Sequence, residues 1–154
     1  MKLLEQIFHL RHSGTKAFTV LIDPDKPFEE RLIKVSVDAG AAFFLVGGSE
    51  VKPGTVKKVV DFIRNSAPIP VLLFPGHPSQ FYPSADGILL PCLISGRNPD
   101  LLIGYHTQTA RQIRDSGMEV ISTGYILTGG SAETSVVKIS ATSPIPEHLP
   151  EKVV

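Results

Sequence analysis

Residues 17–26, AFTVLIDPDK, decide how this chain is interpreted. Their apolar run from Phe18 to Ile22 is rich in β-branched residues and predicts a buried strand. The run stops at Asp23-Pro24-Asp25, where a proline separates two carboxylates. Because a carboxylate at the tip of a buried strand must be satisfied by a partner, the stretch predicts a ligand-binding end of a sheet as well as a strand.

The same alternation of apolar runs and helical patterns continues along the chain. Further strands are predicted at residues 43–46, 71–74, 87–90 and 118–122, and helices at about 28–39, 56–63, 99–116 and from 131 to 141, after an amphipathic helix at the N-terminus. Continuous apolar strands separated by helices are typical of parallel strands that are buried on both faces.

Two of the helical patterns predict which side chains are buried. Four residues follow the i, i+3, i+4, i+7 spacing in the helix at 56–63: Val56, Val59, Val60 and Ile63. In the preceding helix, the predicted buried face is Phe28, Leu32, Val35 and Ala39. Each face would pack against the sheet.

Two architectures fit this order of elements: an open five-stranded parallel sheet, or the first five β/α units of a closed (β/α)8 barrel. A barrel typically needs about 250 residues, so 154 residues slightly favour the open sheet. Polar or glycine clusters follow four of the strands, however, which favours a site drawn from around a ring. In either case residues 1–154 are expected to form a single domain.

Composition excludes several classes of function. Fifteen basic and fifteen acidic residues cancel, so no bulk charge points to nucleic acid or to an anionic membrane. Cys92 is the single cysteine, which excludes disulfide scaffolds and cysteine-rich metal sites. No apolar run approaches the roughly 20 residues of a membrane span, and the chain is expected to be cytoplasmic.

Candidate site residues follow the first two strands. Asp23 is a candidate ligand of Mg²⁺, which one or two carboxylates and ligand phosphates typically hold, whereas Asp25 has a helix-capping alternative. Gly47-Gly48-Ser49 would let the backbone approach a ligand, with Ser49 able to cap a helix or to ligate a metal. A tight turn between a strand and a helix is the more ordinary explanation of that sequence.

Other catalytic signals are weak. His77, in Pro75-Gly76-His77-Pro78, is the histidine nearest a strand end and a candidate base. The sequence has no Gly-x-Ser-x-Gly elbow, no His-Glu-x-x-His and no dinucleotide or P-loop fingerprint, so hydrolase and nucleotide functions lack support.

Five motifs in order resemble the geranylgeranylglyceryl phosphate synthase family, including its heptaprenylglyceryl phosphate synthase relatives. They are LIDPDK at 21–26, FLVGGS at 44–49, LLFPG at 72–76, ADGILLPCLISGRNP at 85–99 and STGYIL at 122–127. The resemblance implies a (β/α)8 barrel and an Mg²⁺-dependent prenyltransferase. Such an enzyme transfers a geranylgeranyl or other long prenyl group from its diphosphate to sn-glycerol 1-phosphate, forming an ether bond in lipid biosynthesis.

The resemblance also implies roles for individual residues. Asp23 and Ser49 match the metal ligands, and Tyr125 matches a tyrosine near the glycerol phosphate; Gly48 and Asp25 are expected to contact substrate. The archaeal branch carries a lysine where this chain has Leu21, so the sequence resembles the branch shared by some archaea and bacteria. A homo-oligomer is expected by the same resemblance.

Length is the main departure from the family pattern. The family continues with a Tyr-Leu-Glu strand, whose glutamate is the presumed base, and with glycine-rich phosphate-binding turns. No catalytic base is therefore assigned within these 154 residues, and the chain alone is expected to be inactive. The alternatives are a non-catalytic phosphate-ligand or interaction module, and another barrel or flavodoxin-like phosphate enzyme.

Overall fold

The computed structural model describes residues 2–129 and 134–153. Its helices are α1 (Leu3–His12), α2 (Glu30–Asp38), α3 (Thr55–Ser66), α4 (Tyr105–Ser116) and α5 (Ser135–Ser140), and its strands are β1 (Thr19–Ile22), β2 (Phe43–Val46), β3 (Val71–Leu73), β4 (Gly87–Leu93) and β5 (Glu119–Tyr125). A 3-10 turn, Pro78–Gln80, follows β3, a π-helical turn, Asp100–Gly104, leads into α4, and a second 3-10 turn spans Pro150–Lys152. The predicted last helix is present as α5, while residues 131–133 of that prediction lie outside the described part.

The five described strands form one parallel sheet in the order β1-β2-β3-β4-β5. β1 pairs with β2 from Thr19 opposite Phe43 to Ile22 opposite Val46. Parallel crossovers are right-handed, so a sheet whose order never reverses carries its connecting helices, here α2, α3 and α4, on one face. A doubly wound sheet reverses its order at a switch point. The described strands therefore form an open sheet with the strand order of a β/α barrel.

The helical face of this sheet holds the larger core. Its buried members come from every strand except β5 and from α2, α3 and α4: Ile22, Phe44, Val46, Val71, Leu73, Ile88, Ile33, Val56, Val59, Val60, Ile63 and Ile113, with Ala85 beside them. The predicted face of α3 is confirmed, since Val56, Val59, Val60 and Ile63 are all buried. Burying one such side chain contributes about 1.5–3 kcal/mol relative to leaving it exposed.

The predicted face of α2 is wrong in part. Leu32 and Val35 are 39% and 51% exposed, whereas Ile33 is 1% exposed and lies in the core. Ser36, also buried, donates its hydroxyl to the Leu32 carbonyl, 2.7 Å away. The helix begins at Glu30, after Phe28, and its packing against α3 and the sheet selects Ile33 and Val37 in place of the apolar stripe read from the sequence.

The opposite face of the sheet carries a smaller core near the amino ends of the strands. Leu3 of α1 packs there with Phe43, Leu72 and Ile121. The Glu119 carboxylate, at the start of β5, accepts hydrogen bonds from the backbone N–H groups of Leu3 at 2.8 Å and Leu4 at 2.9 Å. It thereby satisfies donors that the first turn of a helix leaves free, and it fixes α1 across this end of the sheet.

β4 and β5 extend beyond their predicted ends because they pair with each other along seven residues, from Gly87 opposite Glu119 to Leu93 opposite Tyr125. β3 pairs with β4 only as far as Ile88, so the later part of β4 is bordered by β5 alone among the described strands. A strand with one neighbour tolerates Pro91, which the prediction placed outside the strand.

Candidate active site at the carboxyl ends of the strands

Asp23 directly follows β1, and its carboxylate is held in a tight turn. Its Oδ1 accepts the backbone N–H of Asp25 at 3.1 Å, and its Oδ2 lies 3.5 Å from the Lys26 ammonium. The side chain is 28% exposed, so it is accessible from the mouth of the sheet. A methyl group built on Gly48 would stand 3.3 Å from Asp23 Oδ1, which places the first carboxylate directly beside the loop after β2.

Asp25 joins the first two loops to each other. Both of its oxygens accept the backbone N–H of Lys52, at 3.2 and 3.1 Å, and the Thr55 hydroxyl donates to Oδ1 at 3.2 Å. Asp25 therefore contacts the start of α3, whereas the sequence pattern suggested that it caps α2, the helix directly after it. A carboxylate has about four lone-pair sites, so these contacts leave acceptor capacity for a ligand.

The loop after β2 and the loop after β3 touch through their backbones. A methyl group on Gly76 would lie 2.5 Å from the Gly48 carbonyl oxygen and 2.9 Å from Ser49 Cα. Such distances leave no room for a side chain, so glycine at position 76 is required by the close approach. The buried carboxamide of Gln80 also contacts Gly48 and Gly76.

A pocket of about 180 Å³ opens between these loops and the end of β5. Gly48, Ser49 and Tyr125 line it together with mostly apolar side chains, among them Leu21, Phe74, Pro91, Leu93, Leu101 and Ile139. The Tyr125 ring packs edge-on against Phe74, with ring centroids 5.6 Å apart. Of the five predicted site residues, three line this pocket and Asp23 lies beside Gly48 at its edge, while Asp25 is not among the lining residues.

The hydroxyl of Ser135 lies 3.5 Å from Ser49 Oγ and donates toward it. Ser135 begins α5 and lines the same pocket, so the site draws on an element beyond β5. Neither Ser135 nor Gln80 was predicted. No motif distinguishes them in the sequence, because serine and glutamine are ordinary in polar turns.

His77 lies apart from the acidic loop, residues 23–25, which follows β1. Its ring packs edge-on against Tyr105, with centroids 5.1 Å apart, and its Nδ1 lies 2.9 Å from the Ser79 hydroxyl. It lines a separate cavity of about 30 Å³ with Tyr105 and His106. The structure does not bring His77 together with Asp23.

The donor set at the mouth of the main pocket suits a hard cation. Asp23 supplies a carboxylate and Ser49 a hydroxyl, which are the oxygen ligands that Mg²⁺ takes, with substrate phosphates usually completing its coordination. Within residues 2–129 and 134–153, no group of three or more His, Cys, Asp or Glu side chains could hold a metal without such a substrate. The residues present therefore fit Mg²⁺ bound jointly with a phosphorylated ligand.

Each helix in the described ranges is too short or too polar to cross a lipid bilayer.

Residues 9–152 match the model of the PcrB family. Among curated relatives, the geranylgeranylglyceryl phosphate synthase of Spirosoma linguale is 45% identical over 142 residues, and that of Chitinophaga pinensis is 43% identical over 148 residues. These alignments cover 90% and 94% of this chain but 57% and 59% of the relatives. The chain thus spans well under two thirds of the length of the curated relatives it matches.

Solved structures give the same picture of the fold. The crystal structure of (S)-3-O-geranylgeranylglyceryl phosphate synthase from Thermoplasma acidophilum, in complex with its substrate sn-glycerol-1-phosphate, superposes with a TM-score of 0.85 at 26% identity. It covers 95% of this chain, and the chain covers 60% of it. The GGGPS of Thermoplasma volcanium superposes with a TM-score of 0.87 at 22% identity, over 99% of this chain and 62% of its own. The prediction of five β/α units of this barrel fold is confirmed.

Proposed function

The chain belongs to the PcrB family, and on this premise we propose that it is part of an Mg²⁺-dependent prenyltransferase acting on a long prenyl diphosphate and sn-glycerol 1-phosphate. The observation that carries the proposal is the placement of Asp23 beside Gly48 and Ser49, at the mouth of a largely apolar pocket that Tyr125 also lines. With Mg²⁺ bound at its carboxylate, the rim would suit the diphosphate end of a prenyl diphosphate, and the apolar interior would suit its prenyl chain.

Asp23 and Ser49 are the residues that would hold Mg²⁺. When bound, the ion would neutralise the negative charge that develops on the diphosphate as it leaves the prenyl carbon. The Asp23 side chain is accessible, and its turn holds the carboxylate in one orientation through the N–H of Asp25. Asp23 would act as an anchor for charge and not as a proton acceptor.

The remaining pocket residues would bind, orient and exclude water. Apolar side chains such as Leu93 and Ile139 would shelter the isoprenoid and keep water from an electron-poor prenyl carbon. Tyr125, whose ring is set by its contact with Phe74, would present its hydroxyl to the glycerol phosphate. Gly48 would let the backbone approach the diphosphate. Asp25 would either contact the substrate through the remaining lone pairs of its carboxylate or hold its loop in position.

We further propose that these 154 residues form the N-terminal part of a barrel and do not turn over substrates alone. The relatives are much longer than this chain, and no base for the glycerol hydroxyl is assigned within it. A cytoplasmic location and a homo-oligomer belong to the same proposal. The second candidate is a non-catalytic module that binds a phosphate ligand in the same pocket.

A binding measurement distinguishes both candidate functions from a purely structural role of the acidic loop. We expect the chain to bind geranylgeranyl diphosphate in the presence of Mg²⁺, measured by titration calorimetry, and to bind it at least about tenfold more weakly as Asp23→Asn. Asp38→Asn, at the end of α2, is the matched control and should bind like the wild type. Equal affinities for Asp23→Asn and the wild type would refute the metal assignment.

A turnover assay with labelled prenyl diphosphate and sn-glycerol 1-phosphate then separates enzyme from binding module. The chain alone is expected to form no ether product. Product formation at a rate typical of enzymes would show instead that the five β/α units suffice. Mg²⁺-dependent binding that never leads to product, even when the chain is part of a protein of the relatives' length, would favour the non-catalytic module.

A further inference from the structure

Gln80 is a buried polar side chain that the proposed chemistry does not use. It ends the 3-10 turn after β3 and is 2% exposed. Its Oε1 accepts the backbone N–H groups of Gly48 and Gly76, each at 3.3 Å, and its Nε2 donates to the Gly48 carbonyl at 2.8 Å. One carboxamide thus binds the backbones of two different loops.

These contacts depend on the chemistry of an amide. Two N–H donors converge on a single oxygen while a carbonyl faces the nitrogen, so the side chain must accept and donate at once. A glutamate carboxylate would accept both N–H groups but would face the Gly48 carbonyl with a second oxygen. A methionine would fill the space and leave the two part-buried backbone donors without a protein partner.

The loops that Gln80 joins are those that carry the proposed site. Gly76 is packed against Gly48 and Ser49 so closely that no methyl group fits between them. The turn that presents Gln80 is itself tied to α3, because the Tyr82 hydroxyl donates to Asp61 at 2.8 Å and lies 3.1 Å from the Lys57 ammonium. The position of Gly48 and Ser49 is therefore set from β3 and α3 as well as from β2.

We propose that Gln80 is a positioning residue that sets the backbone of Gly48 and the hydroxyl of Ser49 against the Asp23 carboxylate, so that a metal-bound diphosphate meets a fixed set of ligands. This inference rests on the proposed function of the same pocket. Gln80 contacts neither substrate nor ion in this arrangement, and it acts through the loop after β2.

The test uses Gln80→Met and Gln80→Glu in the same titration with geranylgeranyl diphosphate and Mg²⁺. Each variant is expected to lose about tenfold in affinity. If Gln80 acts through Ser49, the double variant with Ser49→Ala should lose little more than the larger of the two single losses. Unchanged affinity in both Gln80 variants, or losses that multiply in the double variant, would overturn the proposal.

A second measurement needs no ligand and keeps this inference separate from the proposed function. Amide hydrogen exchange at Gly48 and Gly76 is expected to be about tenfold faster in Gln80→Met. Ser36→Ala, which removes a buried polar group of a different element, a hydroxyl whose partner lies within α2, should leave both amides unchanged. If the wild-type chain does not bind the diphosphate, the proposed function fails, and this exchange decides the positioning role by itself: unchanged rates in Gln80→Met refute it.

Discussion

At the amino end of the sheet, the Glu119 carboxylate accepts two backbone N–H groups of α1, whereas at the carboxyl end the Gln80 carboxamide accepts one N–H from each of two loops. Glu119 joins a helix terminus to a strand, and Leu3, whose N–H it accepts, packs into the smaller core. Gln80 joins two loops and leaves a pocket of about 180 Å³ open next to them.

The two side chains differ in the hydrogen bonds that they must make: Glu119 only accepts them, whereas Gln80 must also donate one. A carboxylate suits the start of α1, where free N–H groups and the helix dipole both favour negative charge. The loop after β2 offers a carbonyl as well as an N–H, so a side chain that donates and accepts is needed there. The amino end of the sheet is packed by α1 and serves stability, whereas the carboxyl end holds an open pocket for binding, as in barrels generally.

The largest expected effect tests how much the packing at the amino end of the sheet contributes to stability. Leu72→Ala removes a side chain that is 1% exposed and packs beside Leu3, and it should lower the free energy of unfolding by about 3 kcal/mol. Urea denaturation measures this loss, with Val35→Ala, 51% exposed, as the control. A loss in Leu72→Ala no greater than that of the control would mean that the small core beneath α1 does not stabilise this end.

Gly76→Ala tests the open end. Its new methyl group would overlap the Gly48 carbonyl, so we expect a loss of about 2 kcal/mol and weaker Mg²⁺-dependent binding of geranylgeranyl diphosphate. Gly40→Ala, in the turn before β2, meets no atom within 4 Å but adopts a positive φ of 83°. It should cost stability through backbone strain and leave binding unchanged. The contrast between the ends fails if both variants affect binding alike.

Glu119→Gln should cost less, about 1 kcal/mol, since the amide keeps an oxygen for one N–H of α1 but loses the charge and the second acceptor. Chemical denaturation gives the loss, and calorimetry should give a diphosphate affinity equal to that of the wild type. Weakened binding in this variant would show that the two ends are coupled through the sheet.

The smallest effect concerns the support of Gln80 on α3 and depends on pH. The hydrogen bond from Lys57, with a second from Tyr82, lowers the pKa of Asp61 below its ordinary value of 3.8, and the same pairing raises the pKa of Lys57. A carboxyl whose pKa is lowered by folding stabilises the protein above its unfolded pKa, and this contribution is lost as the pH falls through the folded pKa.

Asp61→Asn should therefore melt slightly below the wild type at neutral pH, and the difference should vanish on acidification to well below pH 3.8. Thermal melts of both proteins across the acid range measure this. A difference that persists or grows in acid would contradict the assignment of the stabilisation to the ionised carboxylate.

Local sequence pattern predicted most of the fold where it coincided with packing. Val59 and Ile63 lie on the one apolar stripe of α3, so periodicity found the buried face. In α2 the stripe through Leu32 and Val35 is exposed, because tertiary packing chose Ile33. Periodicity records which residues are apolar, and it does not record which neighbour a short helix meets.

The sequence predicted those residues of the candidate site that lie at the ends of apolar runs. Asp23, Ser49 and Tyr125 each follow or end an apolar run, and parallel strands bring such positions to one edge. Gln80 was not predictable, since its role arises from contacts across 32 residues of sequence with Gly48. Asp25 was expected to cap α2. Its carboxylate instead accepts the backbone N–H of Lys52, which is again a contact between residues far apart in the sequence.

Sequential strand order also bears on how the chain acquires its structure. Since each strand pairs with the one before it, every β/α unit can dock on its predecessor as synthesis proceeds, without waiting for distant segments. The hydrogen bond between Leu3 and Glu119 departs from this order, for it spans 116 residues. Although α1 precedes the five described strands in the chain, we expect it to settle into place among the last elements, once the fifth strand has emerged.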